Sequence, residues 1–331
     1  MRLSLPPLVS RSGLFLAGML CAPFAVGANL YSIKVENDLF SSGEDGHYTN
    51  GLELTGISLP GNTHWSRKLS DWLPGWSADG LDAVGYHFIH QIYTPNDIER
   101  ERLIEDDRPY AGLLLGGLSL FDDEQHDGWR TASALQLQIG WVGPAAGGES
   151  IQKAVHKVVD SKEPEGWDNQ LDNEPIVSLG WSKSWWWLSR FGGLEWEYGP
   201  SASLKVGNLY DYAGAGGALR VGNGLEKSFG IPSVSPAQGG RQGFIQDAGF
   251  GWYGFLGTEG RYMAHNLLLD GNTFENSHEV ERREWVGDLT AGVVFSWDRF
   301  QVAFTNVWRT REFDSQNETD QFGSITLSTW L

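Results

Sequence analysis

The sequence predicts an all-β protein: a twelve-stranded antiparallel transmembrane β-barrel with a short helix in an outer loop. Three observations predict it. The chain opens on an export leader, its later segments alternate apolar and polar residues with period two, and Gly (43) and Trp (16) are abundant among 331 residues. Beyond the leader, no segment approaches the ~20 consecutive apolar residues of a membrane-spanning helix. A barrel crosses the bilayer with weakly apolar strands instead.

The leader comes first. Met1 and Arg2, with a second arginine at 11, precede an apolar run over 14–26 and the small residues Gly27 and Ala28. That is the order of a secretory signal peptide, so residues 1–28 are read as the leader and Asn29 as the mature start. Gly18 and Pro23 break the run, which argues against a membrane span. The alternative, a lipid-modified Cys21, lacks a surrounding run of small residues. The only cysteine leaves with the leader, so the exported chain has no disulfide to stabilise it. A formal charge of −18 excludes nucleic acid as a natural partner. Residues 29–331 show no repeat and no domain boundary, and are read as one barrel domain.

Strands are expected at 29–37, 48–59, 84–93, 110–122, 130–142, 175–187, 191–204, 212–222, 250–264, 283–297, 299–311 and 320–331. In "SALQLQIGW", Leu135, Leu137, Ile139 and Trp141 oppose Ala134, Gln136 and Gln138. The same split separates Phe300, Val302, Phe304 and Trp308 from Gln301, Ala303 and Thr305. A soluble sandwich would share this periodicity with the greasy face inward. The leader, the final strand ending flush with the chain and the aromatics near strand ends favour the barrel. With both termini on the periplasmic side, the outer loops are 38–47, 94–109, 143–174, 205–211, 265–282 and 312–319. Two expected periplasmic connections, 60–83 and 223–249, are long for such a barrel. The first, with Trp65, Trp72 and Trp76, suits a small interfacial helix; the second is rich in Gly and Pro.

Polar motifs gather at the outer ends. "VENDLF" places Glu36, Asn37 and Asp38 at the end of strand one, and "HYTNG" places His47, Tyr48, Thr49 and Asn50 at the start of strand two. Taken alone, these residues also make an ordinary turn. "EDDRPYAG" brings Asp107, Arg108 and Tyr110 to the next loop, where Arg108 suits either a phosphate or a local ion pair. "GESIQKAVHKVVDS" reads as an amphipathic helix in the third outer loop. Its apolar stripe, Ile151, Val155, Val158 and Val159, is expected to pack on the barrel wall, with Gln152 and His156 in a row beside it. By strand parity His156, Gln152, Asn37, Asp38, Thr49 and Arg108 fall on one side of the membrane. A neutral His can take a proton from water, oxygen ligands can hold Ca²⁺, and amides or hydroxyls can orient water or donate to an oxyanion. No Gly-x-Ser-x-Gly elbow and no zinc-type His cluster occurs.

"VENDLF", "YTNG", "IYTP", "DRPYAG" and "GPAAGGESIQKAVHKVV" followed by Trp167 resemble the lipid A 3′-O-deacylase (LpxR) family, from about residue 29 to the C-terminus. The resemblance implies a twelve-stranded outer-membrane barrel that removes the 3′-linked acyloxyacyl group of lipid A with Ca²⁺. It implies His156 as base, Asn37, Thr49 and Gln152 as catalytic companions, and Asp38 as metal contact. A member of the family carries a Lys-rich segment in the second outer loop; here that loop reads "NDIERERLIEDDR", in which Arg100 or Arg102 would take over, with Arg108 as a further substrate cation for an anionic lipopolysaccharide. The expected surroundings are outer-membrane lipids and the expected state a monomer, its site facing the cell exterior. The competing expectations are a noncatalytic channel or structural barrel, and an outer-membrane phospholipase.

Overall fold

The computed structural model describes residues 29–38, 47–73, 76–77, 79–225, 228–229, 243–244 and 247–331. The leader expected at 1–28 and most of the first outer loop lie outside them. Twelve strands form a closed sheet: β1 (Leu30–Asn37), β2 (Tyr48–Ser58), β3 (Ala83–Tyr93), β4 (Ala111–His126), β5 (Trp129–Val142), β6 (Glu174–Phe191), β7 (Leu194–Gly207), β8 (Tyr210–Asn223), β9 (Asp247–Asn266), β10 (Trp285–Asp298), β11 (Phe300–Arg309) and β12 (Asp320–Trp330). Neighbours in sequence pair antiparallel, and β1 closes on β12 with Leu30 opposite Trp330. The end carrying Leu30 and Trp330 is the terminal rim, and the opposite end the loop rim.

The twelve expected strands are the twelve observed. The expected β6–β7 turn is displaced: β6 runs on to Phe191 and β7 starts at Leu194. Gly192 and Gly193 both have positive φ (63° and 77°), so they form the two-residue turn that pairs Phe191 with Leu194. Alternation alone could not place that turn, because Phe191 and Leu194 are as strand-like as their neighbours.

The outer face is apolar. Leu137, Ile139, Val177, Leu179 and Val206 are 45–58% exposed. Trp141, Trp285 and Trp308 border this belt at the loop rim, and Trp187, Trp297 and Phe300 at the terminal rim. The lumen is packed with paired charge. Lys34 bridges Glu36 (3.1 Å) and Glu53 (2.7 Å), and Arg130 bridges Asp123 (2.5 Å) and Glu197 (2.6 Å), which Arg220 also contacts. Asp288 takes Arg309 (2.8 Å) and Arg261 (2.9 Å). Toward the loop rim an apolar cluster containing Tyr48, Tyr93, Leu113, Tyr210, Tyr212 and Phe322 fills the mouth. At the terminal rim Leu225 joins Tyr253 and Phe255 in the lumen, and the Ser228 carbonyl accepts from Arg130 at 3.2 Å. A short ladder pairs Ser228–Phe229 with Gly243–Phe244. The two long connections thus differ: the second reaches into the lumen, whereas the first folds into helix α1 (Trp65–Trp72).

Candidate active site on the outer wall

Parity along β1 decides which residues leave the lumen. Lys34 and Glu36 meet Glu53 inside, so Asn37 points outward together with its ladder partner Asn50. The β2–β3 register shifts between Tyr48 and Asn50, which makes Thr49 a bulge at the rim. Asn37 Nδ2 donates to the Thr49 carbonyl at 2.7 Å, turning its Oδ1 away from that carbonyl. Thr49 Oγ1 lies 2.8 Å from Oγ1 of Thr94, the residue after β3. Asp38, next to Asn37, is buried.

The third loop lays its helix, α2 (Gly148–Val159), over the outward side of β3 and β4. On β3, His87 faces the lumen beside Gln136 and Gln138, so His90 and Ile92 face out. His90 Nε2 donates to the Ala146 carbonyl at 3.0 Å, and Ile92 packs with Tyr110, Trp167 and Ile151. The approach is close because two glycines permit it: a Cβ on Gly112 would stand 2.9 Å from the Gly148 nitrogen, and one on Gly148 would stand 2.7 Å from the Trp167 ring. Within α2, Lys153 pairs with Glu149 one turn away (2.9 Å).

The face that α2 buries corrects the sequence expectation. Gln152 and His156 are 2% and 7% exposed, whereas Val155 is 40% and Val158 85% exposed; of the apolar stripe, Ile151 packs inward. The reason is the medium. Against a barrel whose outer face meets hydrocarbon, valines can face outward, while an amide and an imidazole need partners within the protein.

Those partners define the chemistry. His156 Nδ1 lies 2.5 Å from the Lys162 carbonyl, which can only accept, so Nδ1 is the donor and, in the neutral ring, Nε2 carries the lone pair. Trp167, in the one-turn helix Gly166–Asn169, donates from Nε1 to Gln152 Oε1 at 2.8 Å. Gln152 Nε2 is buried with no hydrogen-bond partner, an oriented donor in want of an acceptor.

The three expected substrate cations separate. Arg100 and Arg102 are exposed on the second loop, which packs against the third: Glu165 N bonds the Ile98 carbonyl (2.8 Å), and Asn169 Nδ2 bonds that of Glu101 (2.8 Å). Arg108 turns the other way. It is 1% exposed, lies over the Tyr93 ring at 4.6 Å and faces Glu312 at 3.7 Å. It sits at the barrel mouth beside Glu312, apart from Arg100 and Arg102, with its Nε and Nη1 buried and making no hydrogen bond.

Sequence reasoning quoted His47 without a role. It is buried between Asp320 (2.8 Å) and Asp107 (3.2 Å), and the Asp107 carbonyl also accepts from His278 at 2.8 Å. Burial pulls its pKa down, but the two carboxylates outweigh that and raise it to about 9. Held as a cation, His47 clasps the second loop to the start of β12. Thr94, Lys162 and Trp167 complete the site through bonds that no spacing in the sequence announces.

No curated protein sequence matches this chain. Among solved structures, LpxR from Salmonella typhimurium is similar over 91% of this chain and 100% of that chain, with 20% identity and a TM-score of 0.75, a likeness of fold. The beta domain of the Bordetella autotransporter BrkA is a more distant likeness, with 11% identity, 92% and 99% coverage and a TM-score of 0.46. The family described as "Outer membrane protein LpxR" matches residues 12–331. This chain belongs to the LpxR family of outer-membrane proteins.

Proposed function

We propose that the protein is a lipid A deacylase of the outer membrane, hydrolysing the 3′-linked acyloxyacyl ester of lipopolysaccharide from the outer leaflet, with its site on the extracellular side. The observation that carries this reading is the inverted burial of α2, which holds Gln152 and His156 against the outer wall and leaves Val155 and Val158 exposed. A site outside the wall is open to a lipid arriving laterally. The packed lumen argues against a channel. Since one chain closes the barrel, we take the working state to be a monomer.

In this mechanism His156 Nε2 removes a proton from water as the oxygen attacks the ester carbonyl. The Lys162 carbonyl holds Nδ1–H and stabilises the imidazolium that forms. Gln152 Nε2 donates to the carbonyl oxygen as it becomes an oxyanion, its amide kept in register by Trp167. The bond between the carbonyl carbon and the sugar oxygen then breaks, the acyl group leaves as a carboxylic acid, and the imidazolium protonates the departing sugar alkoxide. Asn37 and Thr49, bonded to each other, position the water. Arg100 and Arg102 meet the anionic headgroup.

A Ca²⁺ ion fits the hard donors here. Asp38 and Oδ1 of Asn37 would hold it, with the backbone and amide oxygens that calcium accepts. When bound, the ion supplies Lewis-acid polarisation of the ester carbonyl.

The test is mass spectrometry of lipid A from cells expressing the intact protein or His156→Ala at matched levels. Loss of one acyloxyacyl group with the intact protein alone is the expected result. Unchanged lipid A with properly inserted protein and Ca²⁺ present would redirect the reading to phospholipid, assayed on the same extracts.

A further inference from the structure

The connection between β2 and β3 does not hang below the barrel. Leu69, Leu73 and Trp76, in and just after α1, pack on Leu81, Val84 and Leu120, with Tyr86, Leu118 and Leu135 in the same cluster. Val84 and Tyr86 pair with Leu120 and Leu118, which pair with Leu135 and Leu137. Residues paired across a sheet share a face, and Leu137 is on the exposed outer belt, so α1 is folded back on the lipid-facing wall.

The helix is fixed there by its own bonds. His64 caps it through Ser66 N, Ser70 Oγ donates to the Ser77 carbonyl at 2.8 Å, and Arg67 Nη2 donates to the Pro60 carbonyl at 2.9 Å. Ser66 and Ser70 are fully buried. Its other face carries Trp65 (47% exposed) and Trp72 (84%), two turns apart, with exposed Lys68 between them. Trp187, Trp297 and Phe300 end the apolar belt at this same rim, so the Trp face of α1 continues an aromatic girdle already present. Indoles with an apolar body and one N–H settle where hydrocarbon meets headgroups, and a lysine beside them reaches the phosphates.

We propose that α1 is an interfacial anchor: it seats in the phospholipid headgroup layer at the terminal rim, with Trp65 and Trp72 as its contacts and Lys68 toward phosphate. The inference is independent of the proposed chemistry. It assigns a lipid-binding surface at the rim opposite the candidate active site, on the same β3–β4 wall that α2 covers at the loop rim. The two helices thus fix this wall in the bilayer from both ends.

The experiment places a single cysteine at Trp72→Cys in a Cys21→Ser background. The full chain, labelled with an environment-sensitive fluorophore, is refolded into phosphatidylcholine–phosphatidylglycerol vesicles. Quenching is compared for headgroup-nitroxide lipid, chain-end-nitroxide lipid and a dissolved paramagnetic ion present on both sides of the bilayer. The expected result is blue-shifted emission quenched most by the headgroup nitroxide. Emission as in water with strongest quenching by the dissolved ion would overturn the proposal and leave the face for a soluble partner. Strongest quenching by the chain-end nitroxide would also overturn it, by placing the helix in hydrocarbon. Trp65→Cys, on the same face, must give the same ranking as Trp72→Cys.

Discussion

The indole N–H of Trp167 donates to Oε1 of Gln152 over 2.8 Å, and this one bond decides which end of the Gln152 amide is left without a partner. Were Oε1 the unpartnered end, the residue could only accept a hydrogen bond. With Nε2 unpartnered, it donates to developing negative charge. Trp167→Phe keeps the ring packed on Tyr110 and removes the donor, so deacylation should fall by about 10-fold or more. Gln152→Ala, losing an oxyanion donor outright, should fall by roughly 10²–10³ in kcat. If Trp167 acts through Gln152, Trp167→Phe added to Gln152→Ala should cost almost nothing further, as a double-mutant cycle in detergent would measure.

Replacing the base gives a different signature. His156→Ala should lower the rate by about 10²–10⁴-fold, the range of general-base catalysis. The barrel should keep its heat-modifiable migration on gels, since α2 is also held by Ile151 and by Trp167. A variant that loses activity together with the folded band would count against a catalytic role.

Divalent cations are tested separately. Chelator should abolish deacylation while leaving the folded band intact, and Ca²⁺ should restore it. Asp38→Ala should be inactive and not restored. Full activity in chelator would remove the metal from the mechanism.

The lumen predicts a stability effect unrelated to activity. Asp288 is the carboxylate shared by Arg261 and Arg309, all three buried. Asp288→Ala leaves Arg261 with Glu259 (3.0 Å) and Arg309 with Glu312 (3.6 Å) alone, and should destabilise by about 3 kcal/mol, read as a lower urea midpoint for unfolding from detergent.

His47 predicts a dependence on pH. Its folded pKa is raised to about 9 from an ordinary 6.5, so the charged form is favoured by folding. The contribution of the Asp107–His47–Asp320 clasp is therefore complete below about pH 6.5 and is lost as pH rises through about 9. Protease cleavage of the second loop should accelerate over that window, and His47→Gln should flatten the profile.

Local pattern made much of this molecule legible. Period-two alternation marked all twelve strands, because a wall with lipid on one side and packed polar groups on the other imposes it residue by residue. The α2 segment was legible from its 3.6-residue spacing. Parity put Asn37, Thr49, Gln152 and His156 at one end because it requires only counting strands. The face of α2 that would be buried was not legible: periodicity finds an apolar stripe but says nothing about the medium beside it. The destiny of Arg108 was not legible either, since Glu312 lies two hundred residues away along the chain.

The sequence by itself determined the barrel, its strand number, the third-loop helix and the rim at which polar residues gather, all properties of short-range order and of alternation across a two-sided wall. Only the tertiary structure decided which face of α2 is buried, that α1 folds back on the β3–β4 wall, and that Trp167 turns Gln152 into a donor. It also set His47 between two carboxylates drawn from distant loops. These are outcomes of closure, which brings segments far apart in the chain to one rim and leaves each buried polar atom to be satisfied by whatever arrives there.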